Sequence, residues 1–195
     1  MKLSDYSVEL TNKVKNQALN AGAALVGIGK LSDSNVVVMG VPLPVGLNEG
    51  GIADLPKMLK GYSHLVGISQ HIVSQTAKEL KERGNSAVKK TVFSLFGDFR
   101  PLARKAGLGQ WGRNNLIVTP EYGPHLLFVG IFTDAQLIPD SPAPNPCIAC
   151  NACREACPSR ALSERGLNYI RCLPYSLRGC QDCVDACPVG RDKVL

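Results

Sequence analysis

No cysteine precedes position 147 in this 195-residue chain, and eight fall between there and Cys187. Other absences narrow the field first. No apolar run approaches the ~20 residues of a membrane-spanning helix, so no membrane association is expected. The opening Met1-Lys-Leu-Ser-Asp-Tyr6 has neither an apolar signal core nor twin arginines. It is expected to be cytoplasmic, in a compartment that keeps thiols reduced. Net charge is +6, but the charges are scattered without a long basic run, so no nucleic-acid partner is expected. The histidines are few. His64 and His71 lie seven apart with no carboxylate in register, and His125 sits at the mouth of a strand. All three read as ordinary surface or turn residues. No acid–base pair stands out, and no repeat beyond the cysteines.

What is present is concentrated at the end of the chain. Cys147-Ile-Ala-Cys150-Asn-Ala-Cys153-Arg-Glu-Ala-Cys157-Pro158 is followed by Cys172, then by Cys180-Gln-Asp-Cys183-Val-Asp-Ala-Cys187-Pro188. C-x2-C-x2-C-x3-C-P is the ligand run of bacterial two-cluster ferredoxins. Three closely spaced thiolates cap one cubane, and the x3 step starts a helix that carries the fourth toward a second. That geometry assigns Cys147, Cys150, Cys153 and Cys187 to one [4Fe-4S] cluster. It assigns Cys157, Cys172, Cys180 and Cys183 to the other. A disulfide framework would suit a small secreted chain. Zinc favours paired C-x2-C knuckles without the x3-C-P tails. The x7 gap after Cys172 departs from the compact ferredoxin pattern.

Upstream, the length allows one medium domain with a small appendage. The spacing predicts a first helix from Ser4 to about Ala21, with Val8, Val14 and Ala18 on one stripe and Gly22 as its stop. Strands follow at Ala24–Ile28 and Val36–Met39, joined by Leu31–Asn35, with Gly27 and Gly29 as a strand-end turn. Val41 to Gly51 reads as a loop long enough for a lid or ligand contact. A long helix from Tyr62 to Arg83 carries Leu65, Ile68, Ile72, Gln75 or Thr76, and Leu80 at three-to-four spacing and ends at Gly84. A third strand is expected at Lys90–Leu95, and a short helix at Phe99–Ala106. The apolar segments Leu116–Val118 and Leu126–Phe132 are expected to pair across the turn at Glu121–Pro124. Residues 138–146 hold four prolines and read as a stiff spacer. The expected domains are therefore 1–137, an α/β sandwich-like (α+β) domain, and 147–195, a ferredoxin-like module with two [4Fe-4S] clusters.

Between the short helix and the next strand lies Ala106-Gly-Leu-Gly-Gln-Trp-Gly-Arg-Asn-Asn115. Gly107, Gly109 and Gly112 match G-x-G-x-x-G. The dinucleotide fingerprint needs a strand before and a helix after, the reverse of the order here. Two readings stay open: a glycine loop whose backbone approaches a flat or anionic ligand, and a tight helix-to-strand turn.

Pro101 to Ile117, Glu121-Tyr-Gly123, Gly130 to Asp134, the cysteine run, Arg171-Cys172-Leu-Pro-Tyr175 and Gly179 to Pro188 together resemble epoxyqueuosine reductase. Cys172 before a gap is what that family shows. The resemblance implies a truncated relative of the corrinoid-dependent reductases, which include reductive dehalogenases. It further implies cobalamin as a cofactor beside the clusters, with Gly107, Gly109, Trp111, Gly112, Arg113 and Asn114 as candidate cofactor-binding positions. Arg113 stands where the family usually has lysine. The family's proton-donating aspartate aligns with the stretch Phe93-Ser-Leu-Phe96, and Asp98 lies nearby out of register. The family's long segment between the first two strands and its tRNA-binding extension have no counterpart. Epoxyqueuosine reduction itself is not expected.

The functional expectation is an iron–sulfur redox protein. It would take electrons from a partner protein, through two clusters, to an acceptor near residues 107–112. The alternatives are a ferredoxin-type carrier or electron-delivery subunit without its own substrate, and an assembly factor for a corrinoid protein.

Overall fold

The computed structural model describes residues 3–43, 51–91 and 98–193. Helix α1 (Leu3–Asn20) is followed by strands β1 (Leu25–Lys30) and β2 (Asn35–Pro42). These pair antiparallel from Leu25 opposite Gly40 to Lys30 opposite Asn35. The four-residue turn between them closes with Leu31 N donating to Ser34 O at 2.9 Å, so the expected short connection is present. Helix α2 (Leu55–Glu82), β3 (Val88–Lys90), α3 (Arg100–Lys105), β4 (Gln110–Trp111), β5 (Ile117–Val118) and β6 (Leu126–Thr133) complete the upstream part.

The main sheet has the order β1-β2-β6-β3. Its inner strands explain two sequence patterns. β2 is buried from Asn35 to Val41, and most of β6 is buried too. Such strands have both faces covered and read as continuous apolar runs. α1 presents Leu10, Val14 and Ala18, one turn apart, to the core. Val8 is 45% exposed, so Leu10 occupies the stripe position expected of it. On α2, Leu65, Ile72, Val73, Ala77 and Leu80 are buried, and Ser69 and Thr76 share that face. The Thr76 hydroxyl donates to Ile72 O at 2.8 Å, which satisfies it inside the core.

The chain divides into two compact units. One comprises residues 1–42, 66–108 and 127–143; the other comprises 43–65, 109–126 and 144–195. The glycine hairpin thus groups with the cysteines rather than with the helix before it. The proline stretch expected as a spacer is split. Its first half belongs to the first unit, where Asp140 accepts from Ile28 N at 2.8 Å and from Lys15 Nζ at 2.5 Å. Ile138 N donates to Thr11 Oγ1 at 2.9 Å.

Two expectations change. β5 does not pair with β6: it pairs with β4, Gln110 opposite Val118 and Trp111 opposite Ile117. A small bridge between Thr119 and Gly123 closes the turn before β6. The third strand covers Val88–Lys90 and pairs with β6. Residues 92–97, which include the rest of that expected strand and the Phe93–Phe96 stretch, lie outside the described residues, as do 44–50 of the expected lid loop. No helix among the described residues is long and apolar enough to cross a membrane.

Candidate metal centre

The cysteine region has little apolar material to fold around. Among the described residues from 144 onward, only Ala161 and Leu162 are buried. Its regular elements are α4 (Ala152–Glu155), β7 (Leu162–Ser163), β8 (Gly166–Leu167), α5 (Tyr169–Ser176) and α6 (Asp182–Asp185). α4 and α6 each fill one C-x3-C step, so Cys153 leads to Cys157, and Cys183 to Cys187, through a single helical turn. These two turns lie against one another. The Cys147–Cys153 run is wound by left-handed backbone at Ala149 (φ 57°) and Asn151 (φ 65°). α5 delivers Cys172. Asn168 caps it, its side chain accepting from Arg171 N at 3.1 Å. The x7 gap is the rest of this helix and the turn through Gly179. The extra helix is why the spacing departs from a plain ferredoxin.

Five of the thiols are raised, and neighbouring cysteines contribute to the shift in each. Burial pushes the Cys153 thiol up, and Cys147, Cys187 and Cys150 are the charges that reinforce the shift. Cys187 is raised by burial and by Cys150 and Cys147. Burial, followed by Cys180, Cys157, Cys172 and Cys153, pushes Cys183 up to about 12. Burial and Cys157 also raise Cys172. Cys157 is the exception. Burial acts to raise it, but hydrogen bonds from the Ser159 hydroxyl and from the Ala161, Leu162 and Ser159 amides outweigh that and leave it below the usual thiol value. None of the eight is disulfide-bonded, and seven are half-buried; Cys150 is exposed. Cys147, Cys150, Cys153 and Cys187 line one small cavity, together with Arg113 and Val189. Among the described residues no group of three His, Cys, Asp or Glu could hold a single metal ion. In a cubane each thiolate meets a different iron, so its sulfurs spread around the cluster rather than gather on one ion.

The glycine motif has structural employment at each position. Gly107 ends α3: its N–H donates to Arg104 O at 3.1 Å, while Leu108 N reaches Ala103 O at 3.0 Å. Its φ of 73° is the left-handed value such a helix stop requires. A Cβ on Gly109 would meet Val118 O at 2.3 Å, and one on Gly112 would meet Val118 Cγ2 at 2.5 Å. The chain's own atoms therefore fill the space each glycine leaves.

The side chains of this hairpin are aimed differently. Arg113 donates to Ala149 O at 3.2 Å and also to Asn151 Oδ1. Asn114 is buried and accepts from Leu116 N at 3.2 Å. Asn115 donates to the Tyr169 hydroxyl at 3.2 Å. Trp111, Arg113, Asn115 and Cys147 line an open groove of about 930 Å³, with Arg154 and Glu164. Asn115, Asn151, Arg154 and Tyr169 carry no motif that marks them in the sequence; only the fold brings them here.

His64 and His71 are exposed. His125 is buried with Nδ1 3.2 Å from Tyr122 O. Burial acts to raise Asp98, but bonds from the Arg100 side chain and amide hold its carboxyl below the usual range.

No family model matches the chain. The epoxyqueuosine reductase of Listeria monocytogenes is 34% identical over 109 residues, 46% of this chain and 29% of that protein. The tetrachloroethene reductive dehalogenase of Sulfurospirillum multivorans is 26% identical in an alignment that spans 96% of this chain and 51% of that protein. A solved catabolic reductive dehalogenase superposes with a TM-score of 0.80 at 19% identity, over 97% of this chain and 33% of that one. The chain thus spans under a third of the first relative and about half of the second. By sequence the homologues of this chain are epoxyqueuosine reductases and reductive dehalogenases, and its fold is one found in both.

Proposed function

We propose that this chain is an iron–sulfur redox protein that passes electrons through two [4Fe-4S] clusters to an acceptor held beside the first. Cys147, Cys150, Cys153 and Cys187 would hold that cluster; Cys157, Cys172, Cys180 and Cys183 would hold the second. The observation that supports this reading most directly is the cavity that Cys147, Cys150, Cys153 and Cys187 line together, the four residues of the first set. The scarcity of apolar core from residue 144 onward supports it, because a small region of this kind needs bound metal to fold. When bound, the clusters supply one-electron transfer. The chain supplies thiolates, hydrogen bonds that favour the charged form at Cys157, and the Arg113 contacts that fix the Cys147–Cys153 loop.

The acceptor would lie in the groove lined by Trp111, Arg113, Asn115 and Cys147. Gly107, Gly109 and Gly112 do not form a cradle for a corrinoid, since protein atoms already occupy their open sides. No step is therefore assigned to cobalamin. The same packing favours the second reading, an electron carrier or delivery subunit without a substrate of its own.

Electron paramagnetic resonance of anaerobically purified, dithionite-reduced protein tests the proposal. Signals from two reduced clusters are expected; a chain without a cluster signal overturns it. Titration with cobalamin and then FMN, read by Trp111 fluorescence, separates the two readings. Saturable quenching supports an acceptor in the groove, and none supports the carrier.

A further inference from the structure

We infer that the exposed face of α5 is the docking surface for a small acidic protein that delivers single electrons to the chain. The inference rests on the two-cluster reading and adds to it a location and a partner chemistry.

α5 buries none of its own residues. Ile170 is 86% exposed, Tyr169 61%, Leu173 57% and Leu177 47%. Ile170, Leu173 and Leu177 follow a helical stripe, and Tyr169 lies one turn from Leu173. Ile52 N donates to Leu177 O at 2.9 Å, which sets a further exposed apolar side chain, Ile52 at 57%, beside the end of the helix. Contiguous exposed apolar surface of this kind marks an interaction site. At its centre is an open groove of about 620 Å³ lined by Leu167, Tyr169, Ile170, Cys172, Leu173 and Ser176. Its wall thus includes a cysteine assigned to the second cluster. A protein seated on this face would lie against Cys172.

The charges name the partner. Arg165, Arg171 and Arg178 are exposed, and no acidic residue occurs from 165 to 181; Glu164, itself exposed, and Asp182 bound the stretch. An apolar centre with aromatic and arginine residues has the composition of a protein interface. A cationic rim selects an acidic partner and speeds its encounter. A second copy of this chain would set arginines against arginines. A cluster held by Cys157, Cys172, Cys180 and Cys183 would take one electron from the partner's reduced centre. No bond forms or breaks, and the partner leaves oxidised.

The test uses the full chain with its clusters, and an acidic plant-type [2Fe-2S] ferredoxin as the probe. Iron and sulfide analysis comes first: a chain without clusters overturns the two-cluster reading itself, and this inference with it. For the loaded chain, calorimetry should show binding, and stopped-flow mixing should show reduction by the reduced ferredoxin that slows as salt rises. Ile170→Ser/Leu173→Ser and Arg171→Glu/Arg178→Glu should each weaken binding about tenfold or more, as loss of interface anchors does. Reduction of both variants by dithionite, which needs no docking, should match wild type. Ferredoxin that fails to bind the loaded chain, or binds both variants as tightly as wild type, overturns the docking surface. So does a dimer, seen by sedimentation, that these substitutions dissolve.

Discussion

The Arg113 guanidinium donates to the Asn151 side-chain oxygen, tying the glycine hairpin to the loop between Cys150 and Cys153. A second bond from the same guanidinium reaches Ala149 O at 3.2 Å. Ala149 and Asn151 both hold left-handed backbone, which non-glycine residues adopt only when the surroundings impose it. Arg113→Ala should therefore loosen the first cysteine set. The bonds are exposed, so the stability cost is expected at about 1 kcal/mol. The clearer readout is faster loss of cluster absorbance in chelator, with half of the iron leaving first. Equal release rates in mutant and wild type would refute this role.

Gly123 and the Cys187-Pro188 tail meet backbone to backbone. A Cβ on Gly123 would lie 1.9 Å from Val189 O, at a φ of 55°. Gly123→Ala combines left-handed strain with a clash that only the chain itself can relieve, so a loss of roughly 2–4 kcal/mol is expected. Gly84 has a φ of 79° with nothing within 4 Å of its added Cβ, and Gly84→Ala should cost only about 1–2 kcal/mol. Denaturant unfolding of the two variants checks the order. If Gly84→Ala proves the more damaging, the close approach at Val189 is not what Gly123 serves.

The long-range pattern of this chain was readable wherever one physical signal dominated. The buried face of α2, the continuous apolar run of β2 and the x2, x2, x3, proline spacing of the cysteines each repeat often enough to be recognised. Pairing was not readable for β5, whose two residues carry no register information. Its neighbour β4 hides inside a motif whose glycines invite a ligand reading. The spacing of Cys172 looked irregular until α5 supplied the helix that it lies on. Asp140 shows the reverse case. A stretch with four prolines suggests a free spacer, yet one carboxylate pins its first half to Ile28 and Lys15.

Acidification should release iron. With the exception of Cys157, the cysteine thiols with a resolved shift are held above their ordinary value, Cys183 at about 12, so each is protonated at neutral pH and each ligation displaces a proton. Lower pH favours the protonated, metal-free side. Iron retention against a fixed chelator should fall steadily from pH 8 toward about pH 6. Retention that improved on acidification would contradict this reading of the thiols.

Removing the metal should unfold one region selectively. With only Ala161 and Leu162 buried among the described residues from 144 onward, that segment has little else to hold it. The first unit keeps Leu10, Val14, Val36–Met39, Ile72 and Ile131 in its own core. Hydrogen exchange after chelation should show amides beyond residue 144 unprotected, while those of β2 and β6 stay protected. Unchanged protection in the cysteine segment would mean that it folds without clusters.

The central claim is two four-cysteine sets, and counting iron tests it most directly. Anaerobically purified chain should contain about eight iron and eight sulfide per molecule, the content of two [4Fe-4S] clusters. Cys172→Ser should lower both counts toward about four, because it removes a ligand from the second set alone. Wild type with about four iron, together with a Cys172→Ser variant that matches it, would contradict the account.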